Sequence, residues 1–144
     1  MRGQLLIGER WGKLSSEYRF LAHEIFWQQY TEFLDKHEDS LQSLRAQIEG
    51  AVNDPLNFGK PLTNVQNSKL RGRIRRYHVH GRSGFRLICL IDSANKAVVG
   101  VFLSSKVRSA FDYDEVPWED YAIQIYDDLV NKRWKKFKKF AIAD

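Results

Sequence analysis

Three candidate strands joined by very short links place the strongest constraint on the fold. The segments cover residues 70–80, 85–92 and 97–105, and the links are residues 81–84 and 93–96. A parallel crossover needs a dozen or more residues, whereas links this short join antiparallel neighbours. The sequence therefore predicts a three-stranded antiparallel meander. The last segment is apolar on both faces, which is typical of a central or covered strand.

Helical periodicity is visible in two segments that precede the meander. Apolar residues recur at three- and four-residue spacing over residues 26–34 and again over residues 41–52, which predicts two amphipathic helices. Pro55 ends the second helix, because proline disfavours helical geometry in the residue before it. A first strand is expected at residues 18–24, and a loop at residues 56–68. The helices are expected to form an antiparallel pair.

A third helix is predicted over residues 116–140. Pro117 suits its first turn, and Glu119 and Asp120 complement the positive end of the helix dipole. Six of the residues from 131 to 140 are Lys or Arg. They are favourable at a helix C-terminus, and they form either a solvated basic end or a contact with nucleic acid.

These elements predict a single α+β domain. An N-terminal helix pair packs on a mainly antiparallel sheet of three to four strands, and a long helix follows at the C-terminal end. A chain of 144 residues is the size of one domain. We divide it into an N-terminal extension (1–17), a main body (18–115) and a basic C-terminal helix of the same domain (116–144).

Positive charge is concentrated in the meander. Residues 69–108 contain ten Lys or Arg and a single acidic residue, Asp92, for a formal charge of +9, although the whole chain carries only +5. Such a cationic surface is the footprint of a polyanion site, because each Lys or Arg near a phosphate releases a condensed counterion on binding. The pattern predicts a nucleic-acid-binding surface.

Cysteine content and hydropathy narrow the class of protein. Cys89 is the only cysteine, so an internal disulfide is excluded, and its apolar surroundings favour a small buried hydrophobe over a reactive thiol. The N-terminus has too short an apolar stretch for a secretory signal, and no run of 18 apolar residues is present. A cytoplasmic location without membrane contact is therefore expected.

Strand alternation sorts the residues of RYHVHG onto two faces. Tyr77 and Val79 face one way, towards the core, and Arg76, His78 and His80 face the other, each about 7 Å from the next. On the neighbouring strand Arg86 is the only charge in the apolar run FRLICLI. A charge there is costly unless it has a partner, such as Asp92, or lies in a functional concavity.

This set suits phosphodiester cleavage by the 2′-hydroxyl of RNA. Histidine can act as acid or base near neutrality, and arginine donates paired hydrogen bonds to phosphate oxygens. No metal or cofactor is expected, since Asp92 is the only carboxylate near the histidines in sequence. Taken alone, however, two exposed histidines also fit an inert surface, and the residues by themselves predict only a nucleic-acid-binding α+β domain.

Several short motifs occur in the order and spacing of a known family. The entry KLRG, the pattern GFRLI after a tight turn, and an apolar strand that ends in basic residues before a tyrosine resemble the sheet of the RelE/ParE toxin superfamily. NDPLNFGKPL resembles the family's link between helix and sheet. The similarity covers about residues 18–115.

The resemblance implies an activity and a set of site residues. RelE-type members are ribosome-dependent mRNA endonucleases of type II toxin–antitoxin systems, so it implies mRNA, the ribosome and a cognate antitoxin as partners, the last in a toxin–antitoxin hetero-oligomer. The family's two strand lysines fall at histidines here. The implied catalytic residues are His78, His80, Arg86, Arg108 and Tyr113, and the residues expected to bind RNA are Arg71, Arg73, Arg76, Arg82 and Lys106.

Two other functions remain open at this point. ParE-type members share the fold but poison DNA gyrase, and they lack the nuclease residues. A module that binds nucleic acid or protein without catalysis is the third alternative. The presence of His78, Arg86 and Tyr113 together favours the nuclease, in which a histidine is base or acid and Tyr113 is the alternative proton-transfer partner.

Overall fold

The computed structural model describes residues 5–6, 18–63, 65–80, 85–104 and 118–142. None of the helices in this part of the chain is both long and apolar enough to cross a membrane. The helices are α1 (Glu24–Lys36), α2 (Leu41–Asn53) and α3 (Trp118–Val130), and short 3₁₀ turns cover Glu38–Ser40 and Trp134–Lys136. The strands are β1 (Leu5–Leu6), β2 (Arg19–His23), β3 (Lys60–Pro61), β4 (Ile74–Val79), β5 (Phe85–Asp92), β6 (Ala97–Ser104) and β7 (Phe137–Ile142).

The meander is confirmed as the centre of one mixed sheet. The described strands lie in the order β1-β7-β2-β6-β5-β4-β3. Only β2 and β6 pair in parallel, and every other described pair is antiparallel. Strand β6 is central, as its two apolar faces predict. Strand β2 is the expected first strand, but the predicted sheet of three to four strands was too small, because β1, β3 and β7 also join it.

Helices cover both faces of this sheet. The helix pair α1 and α2 packs on one face, where Tyr77 and Val79 are buried as the alternation predicts. Helix α3 packs on the other face and buries Trp118, Ala122, Ile125 and Leu129 against β5 and β6. Cys89 is buried in the core between the helix pair and the sheet. Burial raises the pKa of its thiol, as expected of a packing residue.

The prediction of a helix to residue 140 was wrong beyond Val130. Lys132 takes a left-handed φ of 56°, the Arg133 N–H donates to the Asp128 carbonyl, and the Lys132 N–H donates to the Leu129 carbonyl. This is a Schellman stop, which glycine usually provides. The chain then turns and adds β7 antiparallel to β2, so the free edge of β2 gains hydrogen-bond partners.

A buried polar contact holds this C-terminal part in place. His23, at the N-cap of α1, accepts the Ile25 N–H at Nδ1 (3.2 Å). Its Nε2 therefore carries the proton and donates to Asp128 Oδ2 at 2.6 Å. The other oxygen of Asp128 accepts from Arg133 Nη1 at 2.8 Å. Burial opposes ionisation of Asp128, but the hydrogen bonds from Arg133 and His23 prevail and lower its pKa.

Replacing Asp128 with Asn should destabilise the fold. The side-chain NH₂ group of Asn would face an N–H donor of either His23 or Arg133, and that hydrogen bond would be lost. We expect the free energy of unfolding to fall by about 2 kcal/mol, measured by urea denaturation at pH 7. An Asp with a lowered folded-state pKa stabilises above its unfolded pKa of about 3.9. The advantage of wild type should therefore shrink as pH falls through the lower, folded-state pKa.

The control is Asp127→Asn, which changes the same chemistry one residue away. The Asp127 side chain also contacts Arg133 but is 61% exposed, so its loss should cost less than about 0.5 kcal/mol. Equal destabilisation by the two variants would contradict a special role for the buried contact.

Candidate active site

The two histidines of β4 lie at one end of the sheet. Both are exposed, His78 within the strand and His80 just after it. Their ring centroids are 4.6 Å apart, closer than the spacing of about 7 Å expected along a strand. The backbone N–H of His80 donates to Ser43 Oγ at 2.8 Å. This contact ties the end of β4 to helix α2.

Arg86 lies directly opposite His78. The β4–β5 register pairs these two residues, and the side chains of cross-strand partners are close enough to interact. Nη1 of Arg86 donates to the Phe85 carbonyl at 3.3 Å, whereas Nε is buried and has no hydrogen-bond partner among the described residues. The guanidinium therefore retains donor capacity beside the imidazoles.

Asp92 does not neutralise Arg86. The two residues lie at opposite ends of β5, about 20 Å apart at the usual rise of a strand. The Asp92 carboxylate instead accepts from the side chain of Asn95 at 2.7 Å and from its backbone N–H at 3.3 Å. That carboxylate stabilises the turn between β5 and β6.

The surroundings of His78 favour its neutral form. Partial desolvation by the neighbouring groups lowers its pKa, and the positive charge of Arg86 acts in the same direction. The nearby His80 and Arg76 lower it further. An imidazole with a lowered pKa is uncharged at neutral pH, and so it can accept a proton.

Three further cations that were predicted to bind RNA divide into two groups. Arg76 is half-buried on β4, close enough to His78 to influence its pKa. Arg71 donates to the backbone carbonyls of Val65 and Gln66. Arg73 donates to the Lys69 carbonyl, and its guanidinium lies 5.5 Å from the centre of the Tyr126 ring. The guanidinium groups of Arg71 and Arg73 thus stabilise the turns that precede β4.

Four predicted site residues lie outside the described residues. They are Arg82 and Lys106, expected to bind RNA, and Arg108 and Tyr113, expected to be catalytic. The described part of the candidate site therefore consists of His78, His80, Arg86 and Arg76.

A cavity that the sequence did not reveal lies beside this cluster. It has a volume of about 350 Å³ and lies where β5 begins and β6 ends, between α1 and α3. Phe102 and Tyr121 line it, with ring centroids 5.7 Å apart. Tyr121 belongs to the apolar stripe of α3, and such a stripe more often indicates core packing than a ligand site.

The cluster combines the groups that phosphodiester cleavage needs. His78 can accept a proton, His80 can exchange one close by, and Arg86 offers N–H donors to an anionic oxygen. The two histidines are exposed and Arg86 is half-buried beside them, so a polymer can approach the cluster from the side of the histidines.

Comparison with known proteins supports the fold. No protein-family model matches the chain, and no curated protein matches it in sequence. Among solved structures, a mutant of the E. coli toxin RelE in the free state matches with a TM-score of 0.50. The match covers 68% of this chain and 92% of that one, at 14% sequence identity. The chain therefore has a RelE-like fold, as its motifs predicted.

Proposed function

We propose that the chain is the toxin of a type II toxin–antitoxin system and an endoribonuclease that cleaves mRNA without a metal ion. The observation that carries this proposal is the pairing of His78 with Arg86 on an exposed face. A base and a phosphate-binding cation lie side by side there. The RelE-like fold supports the same reading.

The first step is activation of the 2′-hydroxyl. Neutral His78 takes the proton of this hydroxyl, whose oxygen attacks the adjacent phosphorus. The lowered pKa of His78 keeps the imidazole available as a base at neutral pH. A lysine at this position would be protonated at neutral pH and could supply only charge.

The second step is stabilisation of the phosphorane and departure of the 5′-oxygen. Arg86 donates hydrogen bonds to the equatorial oxygens, where negative charge develops. His80 supplies the proton to the leaving oxygen, with Tyr113 as the alternative donor. The products are a 2′,3′-cyclic phosphate and a 5′-hydroxyl. The protonated His78 then returns its proton to solvent, and the acid regains one from solvent.

The proposed partners follow from the same function. Arg76 and the cations expected at Arg82 and Lys106 position the RNA backbone, which makes affinity strongly dependent on salt. Cleavage takes place on ribosome-bound mRNA in the cytoplasm. A cognate antitoxin covers the cationic face and keeps the toxin inactive in a hetero-oligomer.

Expression in a bacterial host without the antitoxin should arrest growth and translation, and Arg86→Ala should relieve the arrest. With purified protein and ribosome-bound mRNA, we expect Arg86→Ala to lower the cleavage rate by about 100-fold, as loss of an oxyanion donor does. Primer extension locates and quantifies the cuts. Arg86→Lys should restore little activity, because it keeps the charge but loses the paired donors.

Lys139→Ala is the matched control. The substitution removes an exposed cation from β7, which lies four strands from β4 in the same sheet. This variant should cleave mRNA at the wild-type rate. Intact mRNA together with DNA damage would instead favour the gyrase poison. Absence of both toxicity and cleavage would favour a binding module without catalysis.

The pH profile of cleavage tests the role of His78. A general base with a lowered pKa gives a rate that rises with pH, with a midpoint below the ordinary histidine value of about 6.5, before the general acid makes the rate fall again at higher pH. Arg76→Gln removes one of the cations that disfavour the protonated form, so the midpoint should move upward. Single-turnover rates on ribosome-bound mRNA between pH 4.5 and 8 would measure both midpoints. A midpoint that stays the same in Arg76→Gln would argue against His78 as the base.

A further inference from the structure

We propose that the cavity where β5 begins and β6 ends binds one unstacked RNA base, and that Glu32 makes guanine the preferred occupant. This inference rests on the proposed RNA cleavage at His78 and Arg86, because it assigns the adjacent part of the same strand to substrate recognition. It adds a specificity site to the proposed reaction.

The walls of the cavity suit a flat aromatic ligand. Phe33 and Phe85 are buried and pack edge to face, with centroids 4.8 Å apart. Phe102 and Tyr121 are half-buried and stacked. Proteins that read single-stranded RNA hold splayed bases against aromatic side chains of this kind. A volume of about 350 Å³ has room for one base and its sugar, and too little for a duplex.

Glu32 supplies the polar group that distinguishes one base from another. It is exposed on α1 and lines the cavity together with Lys36. Its carboxylate has no hydrogen bond or ion pair with any other described residue. A carboxylate accepts two parallel hydrogen bonds, and guanine offers two adjacent donors on its Watson–Crick edge, N1–H and the N2 amino group. Adenine, cytosine and uracil offer no such adjacent pair on that edge.

Gln29, another polar side chain of the cavity, already has hydrogen-bond partners. Gln29 accepts the Leu103 N–H at 2.7 Å and donates to the Val101 carbonyl at 3.5 Å. Both contacts go to the backbone of β6 beyond the point where β2 stops pairing with it. Gln29 therefore fixes the wall of the cavity, and Glu32 remains free to contact a ligand.

The position of the cavity matches the proposed cleavage site. Phe85 lines the cavity, and its carbonyl accepts a hydrogen bond from Arg86. Arg86 also pairs with His78 on one side and with Ser104 of β6 on the other. Phe102, which also lines the cavity, precedes Ser104 by two residues and is therefore a diagonal neighbour of Arg86 on the same sheet face, about 7–8 Å away. A nucleotide whose phosphate contacts Arg86 thus has its base within reach of the cavity.

Binding of uncleavable RNA tests this proposal. The probes are 2′-O-methyl pentanucleotides UUGUU and UUIUU, which differ only in the N2 amino group that inosine lacks. Wild type should bind the guanine probe about tenfold more tightly, the usual effect of one hydrogen bond to a charged group. Glu32→Gln should remove most of this difference, because the amide retains a single acceptor oxygen. Fluorescence anisotropy of labelled probes measures the dissociation constants.

Two further variants separate recognition from general effects. Glu49→Gln makes the same change on the exposed surface of α2 and should keep the full preference for guanine. Tyr121→Ala should weaken both probes about equally, by about tenfold, because stacking does not depend on the base edge. Equal binding of the two probes by wild type would overturn the proposal, and so would an unchanged preference in Glu32→Gln.

The outcome is independent of cleavage, because the 2′-O-methyl group blocks attack on the phosphate. Protein that prefers the guanine probe but leaves unmodified RNA intact would retain the base site and overturn the proposed nuclease. Protein that cuts RNA but binds both probes equally would retain the nuclease and overturn the base site.

Discussion

The pairing register of β4 and β5 is the constraint on which the candidate site depends. Val79 pairs with Phe85 and Tyr77 with Leu87, and all four side chains are buried under the helix pair. A slip of β4 by one residue would turn Tyr77 and Val79 out of the core and turn His78 into it. Hydrophobic burial thus selects the one register in which His78 meets Arg86. The residues that bury surface and the residues of the candidate site alternate along the same strand.

Helix α3 covers only part of the second sheet face, and the candidate site lies beside the covered part. Helix α3 packs on β5 and β6, where it buries Ile88, Leu90 and Val99. Its first turn reaches the end of β6 through the stack of Tyr121 on Phe102. The exposed histidines of β4 lie beside this covered area, at the same end of the sheet. The end of β4 therefore presents the candidate catalytic cluster, and the neighbouring strands present the cavity.

Much of this arrangement could be predicted from local sequence. Short links required the meander, and alternation placed Tyr77 and Val79 inside and His78 outside. The C-terminal strand could not be predicted in this way. Aromatic residues at positions 134, 137 and 140 have helical spacing, and Lys132 ends the helix without the usual glycine. The partner of β7 is β2, more than 100 residues earlier in the chain, and no local pattern reports such a distant pairing.

In the basic segment, the count of charges overstates the number of cations that are available to phosphate. Arg75 donates to the backbone carbonyls of Asn57, Phe58 and Gly59, so it closes the link between α2 and the sheet. Arg71 and Arg73 have similar contacts. The sequence predicts a phosphate-binding surface that includes all of these cations, whereas in the structure they already donate hydrogen bonds to backbone carbonyl groups. Arg86 differs because its buried Nε has no hydrogen-bond partner among the described residues and its neighbours are imidazoles. The same positive charge that would stabilise a phosphorane also adds to the desolvation that lowers the pKa of His78, so one cation contributes to both steps of the proposed reaction.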